Sequence, residues 1–80
     1  MFHTTYCDYN RSNPDRDMIN RPDGSGDYLF LYFITPMKVQ LGSETVITKD
    51  GAFLLFSPQT PQIYQAVKKF KNSFVHFTCD

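Results

Sequence analysis

The sequence contains no tryptophan, and its eight basic and eight acidic residues leave no formal net charge. A neutral balance argues against a surface for nucleic-acid phosphates, because such surfaces need clustered lysine and arginine. No basic segment followed by an apolar stretch resembles a secretory signal, and no run reaches the length of a membrane span. We therefore expect a cytoplasmic protein whose segment here contacts neither membrane nor nucleic acid.

The residue types that build metal and catalytic sites are also scarce. The two histidines, His3 and His76, lie far apart, and His76 stands among aromatic residues in a context typical of a packing histidine. Cys7 and Cys79 form no CxxC pair that could bind a metal. One disulfide between them is possible, but nothing suggests secretion, so we expect reduced thiols. No serine or cysteine stands in a nucleophile motif. The sequence thus predicts no enzyme, no metal site and no cofactor.

Aromatic residues are abundant, with eight phenylalanines and five tyrosines. Short apolar runs recur at intervals of about 8–12 residues between glycine and proline turns, and no segment shows helical periodicity. Eighty residues allow one domain. We predict an all-β fold, an antiparallel β-barrel or jelly roll, in which residues 18–78 supply the strands and residues 1–17 form a weakly structured segment.

The chain is organised around a proline corner. Phe53–Phe56 is too short for a helix and predicts a buried strand, with Leu55 in the core. Pro58 and Pro61 each lack a backbone donor, so strand pairing must stop between them and resume beyond. Such a corner places the residues after the prolines at the mouth of a small barrel.

The longest apolar run, Tyr28–Ile34, predicts a central strand buried on both faces. The two-residue loop at Gly42 predicts a type II′ hairpin, with Val39 opposite Val46. Further predicted strands are Met37–Leu41, Glu44–Thr48, Gln62–Val67 and Asn72–Thr78.

The two ends of the chain are expected to differ from a complete domain. Residues 1–9 predict at most a weak first strand, and Asn10–Asp17 predicts a polar loop. The last strand stops close to the final residue, so we expect a fragment of a longer protein. A truncated barrel has unpaired strand edges, expected at Gln62–Val67 and Phe74–Phe77, and these predict a homodimer.

Four motifs, in their order and spacing, resemble the N-terminal sensor domain of AraC-type transcriptional regulators. The resemblance covers about residues 18–77 and implies a cupin-like barrel that binds a small-molecule effector such as a sugar. It also implies that DNA is bound by a C-terminal domain outside this chain. The motifs are Arg21–Gly24, Asp27–Tyr32, Gly51–Tyr64 and Phe74–Phe77.

Three positions depart from the family pattern and keep two alternatives open. Ala52, Gln59 and Gln62 replace the usual acidic residue, glycine and histidine. A metal-dependent cupin enzyme carries a His-x-His before this region and a histidine at the Gln62 position, so the sequence disfavours that alternative. The other alternative is a stand-alone carbohydrate-binding or interaction module.

Side-chain parity groups the residues expected to line an effector pocket. Gln62 and Tyr64 share one strand face, and Asn72 and Phe74 share another. The resemblance assigns ligand contact to the arginine of the Arg-Pro pair and to the tyrosine after the proline corner. The predicted pocket residues are Arg21, Gln62, Tyr64, Asn72 and Phe74.

The same residues also have a purely structural interpretation. Tyr64 and Phe74 would then be core aromatics, and Arg21 would be a surface residue that pairs with Asp23 or Asp27. Carboxylates in loops are ordinarily solvated, which is how we expect both aspartates to lie.

Overall fold

The computed structural model describes residues 1–79, and eight strands but no helix lie among them. Because residues 1–79 contain no helix, they include no helix that could cross a membrane. The strands are β1 (Phe2–Asn13), β2 (Met18–Arg21), β3 (Tyr28–Phe33), β4 (Met37–Leu41), β5 (Glu44–Ile47), β6 (Ala52–Phe56), β7 (Gln62–Ala66) and β8 (Phe70–Cys79).

The strands form two antiparallel sheets of four strands each. The first sheet has the order β1-β8-β3-β6, and the second has the order β2-β7-β4-β5. The prediction of an antiparallel all-β fold is confirmed. Across residues 1–79 no strand ladder joins the two sheets, so they face each other without closing into a barrel.

Strand β3 is central, as predicted, with β6 and β8 on either side. Leu29, Leu31 and Phe33 point inward and are buried. The prediction that both faces are covered is wrong, because Phe30 on the outer face is 39% exposed. Side chains alternate along a strand, and the second sheet covers only one face of the first.

The apolar run of β6 is only half buried for the same reason. Phe56 packs into the core, whereas Phe53 and Leu55 are 62% and 61% exposed. Leu55 pairs with Phe30 on the outer face of the first sheet. The prediction that Leu55 is a core residue is therefore wrong.

The core is centred on Tyr64, which projects from β7 toward the first sheet. Its ring centroid lies 5.3 Å from that of Phe33, 6.2 Å from that of Phe70 and 6.4 Å from that of Phe56. Met37 and Val39 of the second sheet are fully buried in the same cluster. Aromatic pairs at such distances are favourable beyond their burial, so this cluster holds the two sheets together.

Two glycines explain how the chain turns. Gly42 has φ +61° in the β4–β5 hairpin, and Val39 pairs with Val46 as predicted. Gly24, with φ +80°, lies so close to the proline corner that an added Cβ would stand 2.3 Å from the carbonyl oxygen of Pro58. The β2–β3 loop is thus pressed onto the corner between β6 and β7.

Strand β1 is longer than predicted. It runs through Asn13 and pairs with β8, so the loop predicted for Asn10–Asp17 is wrong in its first four residues. Asn10 takes φ +52° where the register shifts between Asp8 and Arg11. Asparagine tolerates this conformation, and the resulting bulge lets a polar segment continue the ladder.

The predicted seams of self-association do not lie at sheet edges. Gln62–Ala66 is flanked by β2 and β4, and Phe74–Phe77 lies in β8 between β1 and β3. The edge strands are instead β1 and β6 in the first sheet and β2 and β5 in the second. Cys7 and Cys79 do not form a disulfide.

Candidate ligand site between the two sheets

A cavity of about 330 Å³ lies between the inner faces of the two sheets. Its apolar wall includes Leu29 and Leu31 of the first sheet and Ile19 of the second. Side chains from β1, β2, β3, β7 and β8 contribute to the lining. Four of the five predicted pocket residues lie on this lining, namely Arg21, Tyr64, Asn72 and Phe74.

The fifth residue, Gln62, lies behind the cavity wall. Its side chain is 0% exposed. It accepts a hydrogen bond from Arg21 Nη1 over 2.9 Å and donates one from Nε2 to Ser25 Oγ over 3.0 Å. Pairing of β2 with β7 sets Arg21 directly opposite Gln62. Gln62 thus positions the guanidinium instead of facing the cavity itself.

Arg21 pairs with Gln62 and with neither Asp23 nor Asp27, so the surface ion pair of the structural interpretation does not form. One of its five N–H donors is used in this bond. The guanidinium also acts on Tyr64: burial raises the pKa of that hydroxyl to about 12, and the nearby Arg21 charge opposes the rise. Tyr64 is therefore a neutral phenol at physiological pH.

Asp27 and His76 form a hydrogen-bonded pair at the rear of the site, with Oδ1 and Nδ1 2.9 Å apart. Asp27 also accepts hydrogen bonds from Ser25 over 2.7 Å and from Thr5 over 2.9 Å. Burial works to raise the pKa of Asp27, but the hydrogen bonds from His76, Ser25 and Thr5, together with the electrostatic attraction of His76, outweigh it and hold the pKa below its usual range. The prediction of a solvated Asp27 is wrong, because β1 and β8 close over this carboxylate.

These contacts connect into one chain of hydrogen bonds between the sheets. Arg21 donates to Gln62, Gln62 to Ser25, and Ser25 to Asp27, which also pairs with His76. Every link is 3.0 Å or shorter. A guanidinium held in this way is oriented before any ligand arrives, which lowers the entropy lost on binding.

Asn72 lines the cavity and carries an unsatisfied acceptor. The residue is 3% exposed, and its Oδ1 has no hydrogen-bond partner among the described residues. In the sheet it stands opposite Phe33 on one side and Arg11 on the other. A buried acceptor without a donor is destabilising, and such groups in native proteins are uncommon.

Sequence reasoning missed the contribution of β1 to the cavity. Tyr6, Arg11 and Asn13 line it, and so does His76. Arg11 donates from Nη1 to the Tyr6 hydroxyl over 3.0 Å and lies 3.5 Å from Asp8 Oδ2. No local pattern marks these residues, because only the pairing of β1 with β8 brings them to the site.

Within residues 1–79 no group of three or more histidine, cysteine or carboxylate side chains is placed to hold a metal ion. Comparison with protein-family models, with curated proteins and with solved structures finds no significant match.

Proposed function

We propose that this chain is the effector-sensing domain of an AraC-type transcriptional regulator, with a cupin-like arrangement of strands. The observation that carries the proposal is the cavity between the sheets. The two residues to which the family resemblance assigns ligand contact, Arg21 and Tyr64, both line it. In this proposal the protein acts in the cytoplasm as a homodimer, and DNA is bound by another part of the polypeptide.

The size and lining of the cavity suit one small molecule. Its volume of about 330 Å³ is at the lower end of the range of roughly 300–1,000 Å³ typical of ligand sites. Leucine, isoleucine and aromatic side chains form one part of the wall, and arginine, asparagine and histidine side chains line the rest. This combination of apolar walls and orienting hydrogen bonds is typical of small-molecule recognition.

Effector sensing requires that the ligand favour one conformation over another. The cavity offers a physical means, because the ligand would touch inner faces of both sheets at once. A ligand that bridges Arg21 of the second sheet and Asn72 of the first would stabilise one relative position of the sheets. The ligand would then bind that position more tightly than any other. This difference in binding free energy is what is available to change how the DNA-binding units are presented.

The test uses the full-length gene product. Sugars and small organic acids are screened for compounds that raise the melting temperature of the protein. Each such compound is then added to a mobility-shift assay with promoter DNA. We expect a bound effector to change the DNA affinity of the parent protein, and Tyr64→Phe to weaken the response. An open reading frame without helix-turn-helix patterns beyond this segment, or a ligand without effect on DNA binding, would contradict the proposal.

A further inference from the structure

We infer that the cavity takes a small organic acid that carries both a carboxylate and a hydroxyl group. This inference rests on the proposed ligand-sensing function and specifies the chemistry of the ligand. Two observations support it independently. One is the charge of the cavity lining, and the other is the unsatisfied Asn72 oxygen.

The lining contains two arginines, Arg11 and Arg21, but no carboxylate. Arg11 shares its charge with Asp8 at 3.5 Å, in a pair that is about half exposed. Arg21 forms no ion pair with any carboxylate of residues 1–79, and its described side-chain partner is the neutral amide of Gln62. The cavity therefore holds an oriented positive charge without a counterion.

A half-buried guanidinium beside apolar walls is costly unless an anion neutralises it. Gln62 occupies one N–H of Arg21 and leaves the others for a ligand. A carboxylate matches this geometry because its two oxygens accept a pair of parallel hydrogen bonds from one guanidinium. The leucines of the cavity wall would cover the carbon skeleton of the same ligand.

The Asn72 oxygen requires a hydrogen-bond donor, whereas Arg21 requires an anionic acceptor. With less than 1 Å² of accessible surface and no partner, this buried acceptor would be satisfied by a ligand donor such as a hydroxyl once its amide turns toward the cavity that Asn72 lines. A simple inorganic anion would neutralise Arg21 but could not fill the apolar part of the cavity. A neutral sugar would satisfy Asn72 but would leave the guanidinium without a counterion.

The experiment measures binding to the full-length protein by calorimetry with matched probes. Two pairs differ in one group, namely 4-hydroxybenzoate against 4-hydroxybenzyl alcohol for the charge and 4-hydroxybenzoate against benzoate for the hydroxyl. Gluconate against glucose compares a polyhydroxylated acid with a neutral sugar. Inorganic phosphate tests for simple anion binding. We expect a hydroxylated acid to bind at least about 10-fold more tightly than its uncharged counterpart and than phosphate.

Two variants assign the preference to named groups. Arg21→Gln removes the charge and should weaken binding of the acid roughly 10- to 100-fold, with little effect on the uncharged probe. Arg16→Gln, the same change at an exposed arginine outside the cavity, should leave binding unchanged. Asn72→Leu removes the unsatisfied acceptor, so it should abolish the preference for 4-hydroxybenzoate over benzoate while keeping or raising the melting temperature.

The outcomes separate this inference from the proposed function. Glucose or the benzyl alcohol binding as tightly as the matching acid would overturn the inference and leave small-molecule sensing intact. An acid that binds Arg21→Gln like the parent would also overturn it, since the anion would then lie elsewhere. Absence of binding by every probe would count against both.

Discussion

His76 Nδ1 lies 2.9 Å from Asp27 Oδ1, and this pair ties the centre of the first sheet to the loop that leads into β3. Because the folded state holds the pKa of Asp27 below its usual range, the pair stabilises the fold at pH values above the unfolded-state pKa of an aspartate. The stabilisation is lost as the pH falls through the lowered pKa, where the carboxylate is protonated in both states.

Asp27→Asn should lower the free energy of unfolding at pH 7 by about 1–3 kcal/mol, since a hydrogen-bonded charge is lost. The difference in unfolding free energy between variant and parent should narrow in acid, as the pH falls through the lowered pKa of Asp27, and urea titrations at several pH values measure it. Asp15→Asn is the control, because its bridge to Lys69 is exposed and should contribute less than about 1 kcal/mol. A gap that is independent of pH would show that the Asp27 charge is not involved.

Leu31 and Leu55 lie on neighbouring strands but face opposite sides of the first sheet. Leu31→Asp would bury an unpaired charge at a cost of several kcal/mol, a large part of the roughly 5–15 kcal/mol stability of a small domain. Leu55→Asp places the charge in solvent and should fold. Soluble yield and thermal melting of the two variants distinguish them, and similar behaviour would contradict the assigned faces.

Gly24 and Gly26 share a left-handed backbone, with φ +80° and +82°, and the Gly26 N–H donates to the Pro58 carbonyl oxygen over 3.0 Å. An added Cβ, however, would meet the proline corner only at Gly24. Gly26→Ala should cost about 1–2 kcal/mol, the strain of that conformation alone. Gly24→Ala should cost a further ~1–3 kcal/mol because its Cβ would collide with the Pro58 backbone. Equal melting temperatures for the two variants would mean that Gly24 does not pack against the Pro58 backbone.

The outer face of the first sheet carries exposed Phe2, Phe30, Phe53 and Leu55. Taking about 200 Å² for each phenylalanine side chain, the exposed parts of these three rings amount to roughly 350 Å². A standard interface buries about 800 Å² per partner, a little over half of it apolar, so this face supplies most of the apolar area that a second copy needs.

We therefore expect the chain to dimerise through that face. Phe53→Ser combined with Leu55→Ser should give a monomer by light scattering at tens of micromolar, with little change in melting temperature beyond that caused by dissociation. Ile47→Ser, at an exposed residue of edge strand β5 in the second sheet, serves as the control. A monomeric parent protein would rule out this dimer.

Local signals in the sequence were sufficient for most strands. Glycine and proline punctuation placed the boundaries of β3 to β7 within one or two residues, and Gly42 specified the hairpin register. These local signals do not indicate which face of a strand is covered by the other sheet. That is why Leu55 was misassigned, since an apolar residue on the outer face looks the same in sequence as one in the core.

The candidate site was predictable only in part, for a related reason. Parity brought Tyr64, Asn72 and Phe74 to one cavity, and the family resemblance pointed to Arg21. The role of Gln62 as a support for Arg21 depends on the pairing of β2 with β7, and the contribution of Arg11 depends on the pairing of β1 with β8. Both ladders join distant segments, and one sequence contains no local signal for them.

The strand orders of the two sheets have a consequence for how quickly this chain folds. Of the six ladders among residues 1–79, only β4–β5 joins consecutive strands, whereas β1 must find β8 across most of the chain. The hairpin at Gly42 should form within about 1–10 μs, but every other ladder waits for closure of a long loop. We expect overall folding on the slow scale of milliseconds to seconds, limited by the search that brings the first and last strands together.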